Sequence, residues 1–237
     1  MSRPDFVGIG AQKAATTWLF KRLSMHPDVY FPRGKEIHFW DRRETVGRPL
    51  KEYESIFSGL QIKHIGGKTG DITPAYLRIS DTLIKEFKEQ APDVRLMVIL
   101  RNPVERAISA AAQVIRNKER SSNQSNPLFS KNTTEGGLYG KHLTRWLEHF
   151  SKEQLLVLTQ DEIREDGRAV MKKVAEHLSI DPRVYDLIDQ SLLNTTTSPT
   201  PNRLEVAPKQ MARLKSTYRD DLTQLESLLN RSFGWDI

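Results

Sequence analysis

Lys13, Thr16 and Thr17 follow directly on the apolar run Phe6-Val7-Gly8-Ile9 and Gly10, an order that reads as buried strand, tight loop and helix start. Such a junction suits a phosphate. The first N–H groups of a helix have no intrahelical partners, the positive end of the dipole faces the same way, and Lys13 adds a full charge. A second cluster begins where the apolar run Val94–Leu100 ends on Arg101-Asn102-Pro103. Asn102 is a good helix cap, Pro103 fits the first helical position, and Val104, Ala107, Ile108, Ala111 and Ile115 form one apolar stripe. Arg101 is thereby placed at the carboxyl end of a strand, where open α/β sheets bind ligands, with Ser109 about two turns along the helix. An arginine and a serine there suit a second, separate phosphate. Between the clusters stands Lys35-Glu36-Ile37-His38-Phe39-Trp40-Asp41. A carboxylate such as Glu36 can take the proton of a weakly nucleophilic hydroxyl, and His38 is the alternative base. The alternation of Ile37, Phe39 and Asp41 with His38 and Trp40 predicts a short extended piece with Glu36 and His38 on one face.

Two familiar phosphate loops do not match. A Walker loop requires its lysine immediately before the Ser or Thr, whereas Lys13 precedes Ala14 and Ala15. A dinucleotide fingerprint requires a third glycine, and Gly8-x-Gly10 is followed by Lys13 at that place. In nucleoside triphosphatases the strand equivalent to Val94–Leu100 usually ends in an acid that holds magnesium. Here it ends in arginine, which predicts transfer without a metal.

Lys13-Ala14-Ala15-Thr16-Thr17-Trp18 resembles the K-[SA]-G-T-T loop of sulfotransferases that use 3'-phosphoadenosine 5'-phosphosulfate (PAPS), and Arg101 to Ser109 matches their R-[ND]-P-x-x-R-x-x-S element position for position. The resemblance implies that the stretch from Gln12 to Trp18 binds the 5'-phosphosulfate side of the nucleotide, that Lys13 stabilises the departing phosphate, and that Arg101 and Ser109 bind the 3'-phosphate. Lys35 to Asp41 resembles the K-E-x-x-[FY]-F segment of carbohydrate sulfotransferases, in which Glu36 matches the base. Gly70-Asp71-Ile72-Thr73-Pro74-Ala75-Tyr76 resembles their E-[KAI]-[ST]-P-x-Y element. In the heparan-type enzymes a catalytic lysine stands where this chain has Ile72, and Lys68 is four residues away. Ala15 replaces the family's usual glycine; its methyl disfavours positive φ, which predicts ordinary helical or extended backbone there. Trp18 matches the tryptophan that stacks on adenine in cytosolic relatives, and packing of helix on sheet is the competing use of that side chain.

The remaining elements alternate as in an α/β fold whose parallel sheet is flanked by helices on both faces, and the resemblance implies a P-loop NTPase-like sulfotransferase fold. Leu83, Ile84, Phe87 and Ala91 stripe one helix; Leu143, Trp146, Leu147 and Phe150 another; Gln154–Thr159 reads as a strand; Val170, Val174 and Leu178 stripe the helix after it. Residues 119–137 are polar and read as a mobile loop that could gate the acceptor site; for the polar residues 194–205 the resemblance implies a loop covering the nucleotide, with Arg203 a further candidate for the 3'-phosphate. A last helix carries Met211, Leu214, Tyr218, Leu222, Leu225 and Leu229. One domain over residues 1–237 accommodates all of this.

No stretch is long and apolar enough for a membrane span, and the first residues lack the apolar region of a signal peptide, so a cytoplasmic protein is expected. The chain has no cysteine, which excludes disulfides, thiol catalysis and cysteine metal sites, and its six histidines show no paired ligand spacing. A net charge of +6 attracts anions, but the basic residues are dispersed and form no nucleic-acid module. Expected partners are a PAPS donor and a hydroxyl or amine of a carbohydrate or small-molecule acceptor, with no nucleic acid, membrane or metal. A nucleotide-dependent kinase with a degenerate loop and a noncatalytic nucleotide-binding module are the alternatives.

Overall fold

The computed structural model describes residues 3–58, 67–118, 126–194 and 204–237. Strands β1 (Phe6–Gly10), β2 (Val29–Tyr30), β3 (Lys68–Ile72), β4 (Arg95–Leu100) and β5 (Leu155–Thr159) form one parallel sheet in the order β2-β3-β1-β4-β5. β1 is buried throughout and β4 from Leu96 to Leu100, as expected of central strands covered on both faces. The first helices in the chain are α1 (Thr16–Leu23), α2 (Trp40–Val46), α3 (Leu50–Phe57), α4 (Asp81–Gln90) and α5 (Pro103–Lys118). They are followed by α6 (Lys131–Glu135), α7 (Tyr139–His149), α8 (Gln160–Leu178), α9 (Gln190–Asn194) and α10 (Pro208–Leu229).

The predicted stripes are the faces that pack. Leu83, Ile84 and Phe87 of α4 and Leu143 and Trp146 of α7 join the sheet in the main core. Val104, Ala107 and Ala111 of α5 meet Leu214 and Tyr218 of α10 in a second cluster. Asn102 caps α5 as expected, its Oδ1 accepting from the N–H groups of Val104 at 3.0 Å and Glu105 at 3.3 Å.

Residues 126–137 depart from the expected mobile loop. They form a 3-10 turn at Pro127–Phe129 and then α6, which Ser130 caps through a hydrogen bond from the Thr133 N–H. The buried Arg106 guanidinium donates to the Thr133 carbonyl, and the Tyr218 hydroxyl donates to that of Thr134 at 3.2 Å. Polar composition concealed this order because the anchors lie on α5 and α10, far away in sequence. Residues 119–125 and 195–203, including Arg203, lie outside the described residues.

Connections from β1 lead toward β3 and β2, whereas those from β4 lead to β5, so the chain reverses direction across the sheet between β1 and β4. The carboxyl ends of these two strands therefore flank the crevice where α/β sheets bind ligands. Gly10 ends β1 there, and a Cβ at that position would lie 2.9 Å from Cβ of Leu77, so only glycine lets the segment after β3 close on it.

Candidate functional site

The Lys13 loop and Arg101 meet at the β1–β4 crevice. Arg101 Nη1 donates to the Lys13 carbonyl at 3.4 Å across 88 residues of sequence, while its Nε and Nη2 reach Glu105 Oε2 at 3.2 and 3.0 Å. The loop returns to β4 through a bond from the Ala11 N–H to the Ile99 carbonyl at 2.8 Å. Lys13 has φ 71° and Ala15 φ 67°, both left-handed. Ala15 therefore does not take the helical or extended backbone expected of it; it keeps the turn a glycine would make, at a cost of about 1–2 kcal/mol. As residue before α1 it supplies no side-chain cap, and the first turn of α1 holds no acid. The N–H groups of that turn thus face the crevice with no carboxylate supplied by the helix itself. Burial first, and then the nearby charges of Arg116 and Arg101, push the Lys13 ammonium below its usual value, so an anion beside it would favour its charged form. The residues present therefore fit a phosphate-bearing nucleotide.

Around this core, Thr16 is buried, Thr17 half-buried, and Ala14 wholly enclosed. Gln12 is exposed and lines a small pocket of about 40 Å³ with Ala75, Arg78 and Gly136. Trp18 departs from the adenine-stacking expectation. It is 0% exposed within the main core, and its indole N–H donates to the Leu193 carbonyl at 2.7 Å.

Residues 35–39 are not a strand. Glu36 has φ 67° and His38 φ 52°, which overturns the extended piece expected from alternation. The backbone is instead held to the end of β3 one residue at a time. The Glu36 N–H donates to the Ile72 carbonyl at 3.1 Å, that of Ile37 to Asp71 Oδ1 at 3.4 Å, that of His38 to Thr73 Oγ1 at 3.5 Å, and that of Phe39 to the Tyr76 hydroxyl at 3.0 Å. Glu36 and His38 still meet, as expected, for a different reason. His38 Nε2 lies 3.3 Å from Glu36 Oε2 and its Nδ1 2.8 Å from Asp41 Oδ2, while Lys35 Nζ donates to Glu36 Oε1. Burial lowers the Lys35 ammonium to about 8, against the raising influence of Asp71. Asp71 and Tyr76, noticed in the sequence only as parts of a motif, hold the backbone that follows Glu36, at Ile37 and Phe39. Lys68 begins β3, at the strand end away from this site.

Two clefts open beside these groups. One of about 800 Å³ is lined by Asp41, Arg78, Lys131, Glu135, Lys141 and Arg145, among others, and so begins at the His38–Asp41 pair. The other, about 790 Å³, is lined by Arg101 and the buried Ser109, by the apolar Val104, Ile108, Leu204 and Met211, and by Lys215 and Asp236. Its apolar wall and cationic end have the size and make-up of a nucleotide site. The α10 residues in it escaped the sequence reading because helical periodicity explained Met211 as core and gave Lys215 no role.

The family model described as sulfotransferase domain matches residues 3–220. Human heparan sulfate glucosamine 3-O-sulfotransferase 5 is 26% identical over 98% of this chain and 74% of its own length. The mouse 3-O-sulfotransferase 3B1 is 27% identical over 98% of this chain and 65% of its own length. Among solved structures, a sulfotransferase from Alicyclobacillus acidocaldarius superposes with TM-score 0.77 at 24% identity, covering 98% of both chains. Mouse sulfotransferase SULT7A1 complexed with PAP superposes with TM-score 0.58 at 16% identity, covering 96% of this chain and 89% of that one. Among the described residues, no helix is long and apolar enough to cross a membrane.

Proposed function

The chain belongs to the sulfotransferase domain family and acts as a PAPS-dependent sulfotransferase; from that premise we propose that its acceptor is a carbohydrate hydroxyl and that Lys13, Glu36 and Arg101 carry the transfer. The observation that carries this assignment is the Arg101–Lys13 contact, which brings the Arg101 guanidinium to the backbone of the Lys13 loop from 88 residues away. Bound PAPS supplies an activated sulfuryl group. Lys13 and the first-turn N–H groups of α1, with Thr16 and Thr17, hold its 5' side, and Arg101 with Ser109 holds the 3'-phosphate. Glu36 removes the proton of the acceptor hydroxyl as its oxygen attacks sulfur, and Lys13 neutralises the charge left on the departing phosphate. Lys35 and His38 each hold one oxygen of Glu36, and Asp41 holds the far side of His38, which remains the second candidate for the base.

The cleft at Asp41 is the proposed acceptor site. Arg78, Lys131, Lys141 and Arg145 there outnumber Asp41 and Glu135, a lining that suits a saccharide bearing acidic groups, and the heparan sulfate enzymes among the relatives support a carbohydrate. Because β4 is followed by Arg101 rather than an acid, the reading includes no metal step. The kinase and noncatalytic alternatives are not favoured beside the family match. A single domain over residues 1–237 is part of the same proposal, supported by the one sheet into which segments from Phe6 to Thr159 pair.

The test is sulfuryl transfer from PAPS to a panel of saccharides in the presence of a metal chelator. Wild type is expected to turn over, and Glu36→Gln to lose about 10²–10⁴-fold in kcat while binding PAP as wild type does. Turnover that vanishes with the chelator, or survives in Glu36→Gln, overturns the assignment.

A further inference from the structure

Among the described residues, three cations line the proposed nucleotide cleft, Arg101, Arg164 and Lys215, and each is paired with a carboxylate. Glu105 lies 3.0 Å from Arg101, Asp161 3.1 Å from Arg164, and Asp236 2.6 Å from Lys215. The last pair differs from the others. Glu105 and Asp161 are neighbours of their partners in sequence, whereas Asp236 comes from a separate segment that crosses to α10 from the rim of the cleft. That segment is fixed without Asp236. Trp235 stacks on Phe233 with centroids 4.6 Å apart, its indole N–H donates to Asp161 Oδ2 at 3.1 Å, and the Phe233 N–H donates to Glu226 Oε1 at 2.8 Å. The Asp236 side chain is 92% exposed and that of Lys215 30%, so the carboxylate of the pair lies in water while most of the lysine side chain is covered, and both residues line the cleft. An exposed pair of this kind adds little stability.

We propose that Lys215 binds the nucleotide's 3'-phosphate together with Arg101 and Ser109, and that Asp236 holds the ammonium in place until that phosphate takes it. The inference rests on the sulfotransferase reading of the cleft. A phosphate carries more charge than a carboxylate and offers more acceptor oxygens, so it displaces Asp236 from Lys215. The freed carboxylate then remains at the rim as a like charge that weakens binding.

The two halves of the pair consequently have opposite effects on affinity. Asp236→Asn is expected to bind PAP about threefold more tightly, by removing a competing anion. Lys215→Met is expected to bind it about tenfold more weakly, by removing a charge-assisted bond. Both variants break the same ion pair, so a merely structural role moves them in the same direction. The measurement is calorimetric titration with PAP of wild type and both variants, each first shown by its melting curve to be folded. If wild type binds PAP and the variants shift affinity in the same direction, or neither shifts it, the inference is overturned. If wild type does not bind PAP at all, the sulfotransferase reading itself falls.

Discussion

Asp71 is wholly buried, yet it carries an ionisable group that accepts from the N–H of Ile37, the residue after the proposed base. Burial pushes its carboxyl up to about 6, against hydrogen bonds from Thr73, Tyr76 and the Ile37 N–H that favour the charged form. Because the folded value lies above the ordinary 3.8, the folded chain holds this proton more tightly than the unfolded chain does. The stability it contributes is complete below about pH 4, declines as pH rises to about 6, and is constant above that. Asp71→Asn keeps an oxygen that can accept from Ile37 and Thr73 but removes the titration. The stability of the variant relative to wild type is expected to rise by about 1–3 kcal/mol between pH 4 and pH 7, read from urea midpoints. A constant difference across that range would show that Asp71 does not titrate there.

At the scale of elements, the Lys13 loop and the Glu36 segment are both short irregular pieces clamped to strand ends. Each contains two non-glycine residues at positive φ: Lys13 and Ala15 in the first, Glu36 and His38 in the second. Such backbone is unfavourable in isolation and persists where surrounding bonds over-determine it. Ala15→Gly tests this directly. Removing the methyl relieves the left-handed strain but frees the unfolded chain, and the net gain expected in a denaturation midpoint is about 0.5 kcal/mol. PAP affinity is expected to stay within about twofold, since the loop already has the shape glycine would give it. Local pattern could not disclose this geometry. Alternating residues in Lys35–Asp41 read as extended because the bonds that bend the segment come from Asp71, Thr73 and Tyr76, more than thirty residues later.

For the whole molecule, the strand order determines function. Placing β1 beside β4 brings the Lys13 turn and Arg101 to one crevice, while β3 on the other side of β1 delivers Glu36 next to it. Arg101→Ala should therefore weaken PAP binding by about 10–100-fold, through loss of a charge-assisted phosphate contact and of the bond that steadies the Lys13 carbonyl. Titration calorimetry reads the effect, and unchanged affinity would separate the two anchors.

Much of this was legible from the chain alone. The unbroken apolar runs of β1 and β4, the Asn102-Pro103 helix start and the stripes on α4, α5, α7 and α10 follow from local physics: burial, capping and periodicity act over a few residues and leave their pattern in the letters. Lys13, Glu36 and Arg101 stood out because the segments that hold them resemble sulfotransferase motifs; a lysine in a turn or a Lys-Glu pair is common by itself. Only the tertiary structure assigned Trp18 to the core, ordered residues 126–137 around Arg106, fastened Ile37 and Phe39 to Asp71 and Tyr76, and brought Lys215 and Asp236 to the cleft that Arg101 lines. Each of these depends on a contact between segments distant in sequence. Hydrogen bonds and electrostatic fields at such contacts act through space, so the residue that receives them carries no local trace of its partner.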